Sequence, residues 1–255
     1  MSTHVGVVRE ENQDNHGHFH QHDTDLDDEF GELYIVADGM GGHRAGRLAS
    51  ELAVKTVSGV YFATQTGTIS ERLQTAFRSA NDTIYKESMS DSAHAGMGTT
   101  CVALVLKDNR AFIGHIGDSR AYRINRNRIV QLTNDHTKVA EMYRRGILTQ
   151  EEIVTHPERH HLYRALGVRP EAEVDILSDI SISTKEFFLL CSDGLYEYLS
   201  DEEMKQIVLS KPPQIACDVM IHLANERGGV DNSTVCVVRV DYSTSFLDRL
   251  GWWEQ

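Results

Sequence analysis

Short apolar runs that stop at an acid and a glycine set the rhythm of this chain. Residues 33–37, Leu-Tyr-Ile-Val-Ala, read as a buried strand that ends at Asp38, and glycine takes three of the next four positions. Residues 187–191 repeat the device and end at Asp193-Gly194. A carboxylate at a strand end is held on a rigid element, and neighbouring glycines let backbone carbonyls and a ligand come close. Residues 1–8 alternate weakly and predict a first strand ending at Val5-Gly6-Val7-Val8. Residues 99–106, 111–116, 121–124 and 128–132 predict four strands, with turns at Asp108-Asn109, Gly117-Asp118-Ser119 and Arg126-Asn127. Together they read as an antiparallel meander rather than a βαβ repeat. Residues 173–180 and 234–240 predict two further strands.

Helical periodicity fills the gaps. Leu48, Leu52, Ala53, Val57, Val60 and Tyr61 form one stripe, and Leu73, Phe77, Ala80 and Ile84 a second, with Ser70 as its expected cap. Residues 135–166 are polar and helical, with a capping box from Thr149 to Glu152. This insert separates two blocks of strands. Ser200 to Glu203 is another capping box, and Pro213 opens a helix that Gly228-Gly229 closes.

Composition narrows the class. The 255 residues, 40% apolar and 25% charged, suit one large domain with its own core. The net charge of −13 disfavours a nucleic-acid partner. No run reaches the length of a membrane span, and the N-terminus lacks a signal pattern, so a cytoplasmic protein is expected. Cys101, Cys191, Cys217 and Cys236 lie far apart in apolar stretches and read as reduced core residues. His16, His18, His20 and His22 recur at period two, which fits a solvated strand edge better than a zinc site. Asp23 to Asp27 resembles a calcium loop, but Asp28 stands where glycine is needed and Tyr34 where glutamate is needed. It reads as an acidic loop.

Asp14, Asp38, Asp118, Asp193 and Asp231 share one description: an acid at a strand edge, usually beside Gly or Asn. If the strand ends converge, five carboxylates meet, and each raises its neighbours' pKa unless cations intervene. Oxygen-only ligation selects Mg²⁺ or Mn²⁺ over zinc. Two such ions sharing a carboxylate can activate a water for hydrolysis of a phosphate ester. Arg9, placed near Asp14, offers a fork for phosphate oxygens. Neither a dinucleotide fingerprint nor GxxxxGK[ST] is present, and no cysteine is followed six residues later by arginine.

The motifs Arg9-x-x-Asn12-Gln13-Asp14, residues 36–43 (Val-Ala-Asp-Gly-Met-Gly-Gly-His), Gly98-Thr99-Thr100, Gly117-Asp118-Ser119-Arg120, Asp135-His136-Thr137, Cys191-Ser192-Asp193-Gly194-Leu195 and Asp231-Asn232-Ser233-Thr234 occur in this order across residues 1–240. In them the chain resembles the bacterial form of the metal-dependent serine/threonine protein phosphatases of the type 2C family. The resemblance implies an α+β fold, an α/β/β/α sandwich of two antiparallel sheets with a helical flap at about residues 137–166. It implies hydrolysis of phosphoserine and phosphothreonine by a metal-activated water. By position, Asp38 should bridge two metal ions and the Gly39 carbonyl should bind one of them. Asp14, Asp193 and Asp231 should complete the pair, while Asp118 and Asp193 should hold a weaker third ion. Arg9 should bind the substrate phosphate. Substrates would be phosphoproteins, products of a cognate serine/threonine kinase, and the enzyme a monomer.

Two departures stand out. The family often has Glu where Gln13 stands, and animal members have a His where Met40 stands; a thioether cannot donate a proton. His156 and His43 are then candidate acids, and a metal-bound water is the preferred donor. A pseudophosphatase serving as a binding module is the alternative, but all five aspartates are present. The tail, residues 241–255, carries Phe246, Leu247, Leu250, Trp252 and Trp253, which suit docking on its own domain.

Overall fold

The computed structural model describes residues 1–21, 29–41 and 43–240. His22, the acidic loop at 23–28, the side chain of His43 and the tail at 241–255 lie outside the described residues.

Two antiparallel sheets stack face to face. One holds β1 (Ser2–His4), β11 (Ser233–Arg239), β10 (Phe187–Cys191), β7 (Arg120–Ile124) and β8 (Ile129–Gln131), in that order. The other holds β2 (Asp14–Phe19), β3 (Glu32–Met40), β5 (Cys101–Lys107), β6 (Arg110–Ile116) and β9 (Asp175–Ser181), with the short β4 (Gly98–Thr99) also paired to β3. Val36, Val102, Leu104 and Ile113 from the second sheet meet Ala121, Phe188, Leu190 and Cys236 from the first, and this layer seals the sheets together. Period-two alternation sends the other side chains outward. Leu33, Ile35 and Ala37 pack under α1 (His43–Ala63) and α2 (Ile69–Ser90). Leu189, Cys191, Val235 and Val237 pack under α6 (Asp201–Ser210) and α7 (Pro213–Glu226). The result is the α/β/β/α sandwich, and all four cysteines are buried and free.

Three local expectations need correction. The first strand is Ser2–His4; Val7 and Val8 are exposed, because the chain leaves the sheet to bond Gly229 (Val7 N–H to carbonyl, 2.7 Å). The cap of α2 is Thr68, whose hydroxyl accepts from the Glu71 amide while Glu71 accepts from the Thr68 amide. Ser70 lies inside the helix and bonds Ser178. The four central strands are not one meander. β5 and β6 belong to one sheet and β7 and β8 to the other, and the chain crosses between them at Gly117-Asp118-Ser119. The capping boxes at Thr149 and Ser200 form as expected, opening α4 (Gln150–Thr155) and α6.

The polar insert lies between β8 and β9 and carries α3 (Lys138–Arg144) and α4. Its two ends are stitched together where Thr137 bridges Leu162 and the Tyr163 amide bonds the His136 carbonyl at 2.9 Å.

Candidate metal centre and active site

The sandwich geometry explains why the acids converge. On β3, Tyr34 and Val36 face the opposite sheet, so by alternation Asp38 also falls between the sheets, at their rim. Asp14 on β2 stands directly across from Asp38 in the ladder. Like charges opposite one another destabilise a strand pair. The crossover puts Asp118 at the same rim, and β10 ends there at Cys191, two residues before Asp193. Arg9, Asp38, Gly39, Asp118, Asp193 and Asp231 line one cleft of about 520 Å³. Asp14 is buried, and its Oδ2 accepts from the Ser192 hydroxyl at 2.7 Å. Every residue singled out for the centre is therefore in or beside this cleft.

Backbone contacts fix the acids. The Asp38 amide donates to the Thr100 hydroxyl at 3.0 Å, and the Asp38 carbonyl accepts from the Thr100 amide at 2.9 Å. Thr100 and Ser119 share a hydroxyl contact of 2.6 Å, which links the Asp38 strand to the Asp118 turn. A Cβ on Gly39 would lie 2.0 Å from the Gly46 carbonyl oxygen, so only glycine lets α1 sit this close behind Asp38. Asn232 accepts from the Gln13 amide at 2.8 Å and donates to the carbonyls of Val5 and Glu11, pinning the N-terminal loop against the last strand.

Electrostatics make the rim demand positive charge. Burial, partly offset by hydroxyl hydrogen bonds from Thr234 and Ser192, pushes Asp14 up to about 7. Burial raises Asp38 well above the ordinary carboxylate range, and Asp14, Asp193, Asp118 and Asp231 raise it further. Burial and then Asp193 and Asp135 raise Asp118 in the same way. Asp14 Oδ1 and Asp193 Oδ1 are buried without a hydrogen-bond partner. Orphaned carboxylate oxygens in an all-oxygen donor set fit Mg²⁺ or Mn²⁺. Among the described residues no three of these aspartates bring ligand atoms within 4.8 Å of one another, which suits ions that retain water.

Arg9 is not on Asp14. Its Nη2 bonds Asp231 Oδ2 at 2.7 Å, at the mouth of the cleft. His156 caps its own turn, accepting from the Glu158 amide at 3.1 Å. Among the described residues, the histidine that lines the cleft is His160, 3.4 Å from Glu197 and 3.8 Å from Asp193. A hydrogen bond to Asp193 raises its pKa above the usual histidine value. No spacing in the sequence marks His160, because only folding of the insert brings it back to α5 (Asp193–Tyr196). His16 and His18 lie on β2, where His18 stacks on Tyr34 and contacts Glu32 at 3.2 Å. Among the described residues they form no metal-ligating group.

Residues 7–228 match the family model described as protein phosphatase 2C. The chain belongs to that family. It is 38% identical to the serine/threonine phosphatase stp of Listeria monocytogenes over 248 residues, covering 95% of this chain and 96% of the relative. Among solved structures it resembles the serine/threonine phosphatase of S. agalactiae, at 33% identity and a TM-score of 0.85, covering 94% and 98% of the two chains. It also resembles the catalytic domain of the phosphatase PstP in complex with two manganese ions, at 31% identity and a TM-score of 0.77, covering 92% and 94%. The protein is a metal-dependent serine/threonine protein phosphatase that uses Mn²⁺ or Mg²⁺ and acts on phosphoproteins. Nothing in these comparisons supports the pseudophosphatase alternative. No helix among the described residues is long and apolar enough to cross a membrane.

Proposed function

We propose that the cleft is the phosphatase centre and that its residues divide the work as follows. Asp38, with the Gly39 carbonyl, Asp14, Asp193 and Asp231, would hold two tightly bound ions, and Asp118, with Asp193, would hold a third, weaker one. When bound, the ions supply a nucleophilic water and stabilise charge on the phosphoryl oxygens. Arg9 orients the phosphate, which competes with Asp231 for its guanidinium. Gln13 keeps an oxygen near the centre without adding charge. Met40 lines the cleft and carries no proton to give. The observation that carries this reading is the cross-strand pair Asp14–Asp38, two acids directly opposite each other at the rim of the cleft.

The domain reading is one phosphatase domain over residues 1–240, with residues 137–166 as a flap beside the cleft and 241–255 as a tail. The substrates are the products of a cognate serine/threonine kinase, and the enzyme acts as a cytoplasmic monomer without nucleic acid. The net charge of −13 and four buried free cysteines support the last points. The purified protein should hydrolyse p-nitrophenyl phosphate and phosphothreonine peptides with Mn²⁺ and stop in EDTA; full turnover in EDTA would remove the proposal.

A further inference from the structure

Asp118 stands on the crossover between the sheets, and the residue before it, Gly117, has φ of +105°. A glycine in that region has many alternatives and needs an external hold. His136 provides it. The buried His136 ring accepts the Gly117 N–H on Nδ1 at 3.1 Å, and the His136 amide donates to the Gly117 carbonyl at 2.8 Å. One residue satisfies both backbone groups of Gly117.

The same ring is tied to the flap. Burial lowers the His136 pKa, which favours the neutral ring. An accepting Nδ1 leaves the proton of a neutral ring on Nε2, which lies 3.2 Å from Asp175 Oδ2. Asp175 in turn takes Arg164 Nη1 at 3.3 Å. The His136 carbonyl accepts from Tyr163, and the next residue, Thr137, caps α3 and bridges Leu162. The two ends of the flap thus close on His136. His115, His136 and Asp175 are near enough to ligate one ion, but the proton on His136 Nε2 occupies the atom that a metal would need.

We propose that His136 is a positioning residue that sets the Asp118 carboxylate by clamping Gly117 and couples that setting to the closed root of the flap. The inference rests on Asp118 being a ligand of the weaker ion. His136→Phe keeps the ring and removes its nitrogens; His136→Asn leaves an amide oxygen near the Nδ1 position. In the full chain, His136→Phe should raise the half-activating Mn²⁺ concentration by about tenfold or more, the scale of losing an outer-shell partner. Counting bound Mn²⁺ by the EPR signal of the free ion should show the weakest ion lost. His136→Asn should stay within about threefold of the natural protein on both readouts, because it keeps the grip on Gly117. A packing role alone would lower Tm without moving Mn²⁺ affinity. Unchanged Mn²⁺ activation and binding in a folded His136→Phe overturns the inference. Asp118→Asn, measured alongside, separates the failures. If it shifts Mn²⁺ while His136→Phe does not, only the inference falls; if it too shifts nothing, the ligand role of Asp118 falls with it. Should His136→Phe not fold, Asp175→Leu at a partly exposed site decides. It should raise the half-activating Mn²⁺ by about tenfold, and no shift overturns the proposal.

Discussion

The sandwich buries acids in two places and treats them in opposite ways. Toward the far end of β10, Glu186 is buried and meets Arg123 through contacts of 2.7 and 2.8 Å, with a further bond from the Ser183 amide. At the near end, Asp135 takes Nε and Nη2 of Arg120, at 3.0 and 2.7 Å, and Gln131 as well. A few residues away, Asp14, Asp38, Asp118 and Asp193 crowd the rim, and two of their oxygens are buried with no partner. Asp14 accepts hydroxyl hydrogen bonds from Thr234 and Ser192 where Glu186 has a guanidinium. Where an acid serves the fold, the chain brings its own cation. Where, on the proposed reading, it serves the reaction, as at Asp14 and Asp38, the charge is left for a dissociable ion to balance, and the metal-free fold bears the strain.

Breaking the comparison at the rim should have the largest effect. Asp38→Asn keeps the shape and removes the shared charge, so Mn²⁺-dependent kcat should fall by more than about 100-fold, beyond the usual range for an outer-shell partner. Steady-state kinetics with p-nitrophenyl phosphate reads this, and a residual rate near that of the natural protein would contradict it. At the other site the loss should be in stability. Glu186→Ala leaves Arg123 without its partner and should cost about 2–4 kcal/mol, below the fully buried range of 3–5 kcal/mol because the Arg123 side chain is 25% exposed. Urea unfolding measures the cost, and the folded fraction should keep its kcat and its Mn²⁺ dependence.

Arg9 tests the mouth of the cleft. Its side chain is 55% exposed, so Arg9→Ala should raise KM for small phosphate esters by roughly tenfold, the low end for a charge-assisted contact. An unchanged KM and kcat would take Arg9 out of the site. A stability measurement sharpens the contrast by pH. Asp14 is raised from 3.8 to about 7 in the folded, metal-free chain, so within that window the folded state keeps a proton that the unfolded state has lost. Stability in EDTA should therefore fall as pH rises from about 5 to 8, and Mn²⁺ should flatten the slope. Tm measured across this range with and without the ion is the check, and a rising Tm in EDTA would contradict it.

The sequence carried the rim better than it carried the routes leading to it. Each aspartate is legible because it stands at a strand edge, usually beside Gly or Asn, and both are local signals. The cross-strand pairing of Asp14 with Asp38 needed register, which no local pattern records. The meander misreading has the same origin: periodicity marks β6 and β7 as strands, but their sheet assignment depends on how Gly117 turns. Arg9 reaches Asp231 because Asn232 pulls the N-terminal loop onto the last strand, a contact that no local pattern records. Val7 and Val8 are apolar yet exposed, since the loop that aims Arg9 runs over the surface. His160 and His136 act through the flap, whose folding back is a tertiary event.

The measurement that bears most directly on the uncompensated rim is the Tm of the natural protein and of Asp38→Asn, each in EDTA and in excess Mn²⁺ near pH 7.5. Without the ion, Asp38→Asn should melt higher, because it relieves the burial of a carboxylate and the charge that Asp14, Asp193 and Asp118 impose on it. With Mn²⁺ at about 100 times Kd, the natural protein should gain roughly 2.7 kcal/mol, or about 5–10 °C for a chain of this size, and the variant much less. A variant that melts lower in EDTA, and gains as much from Mn²⁺ as the natural protein, would contradict the account.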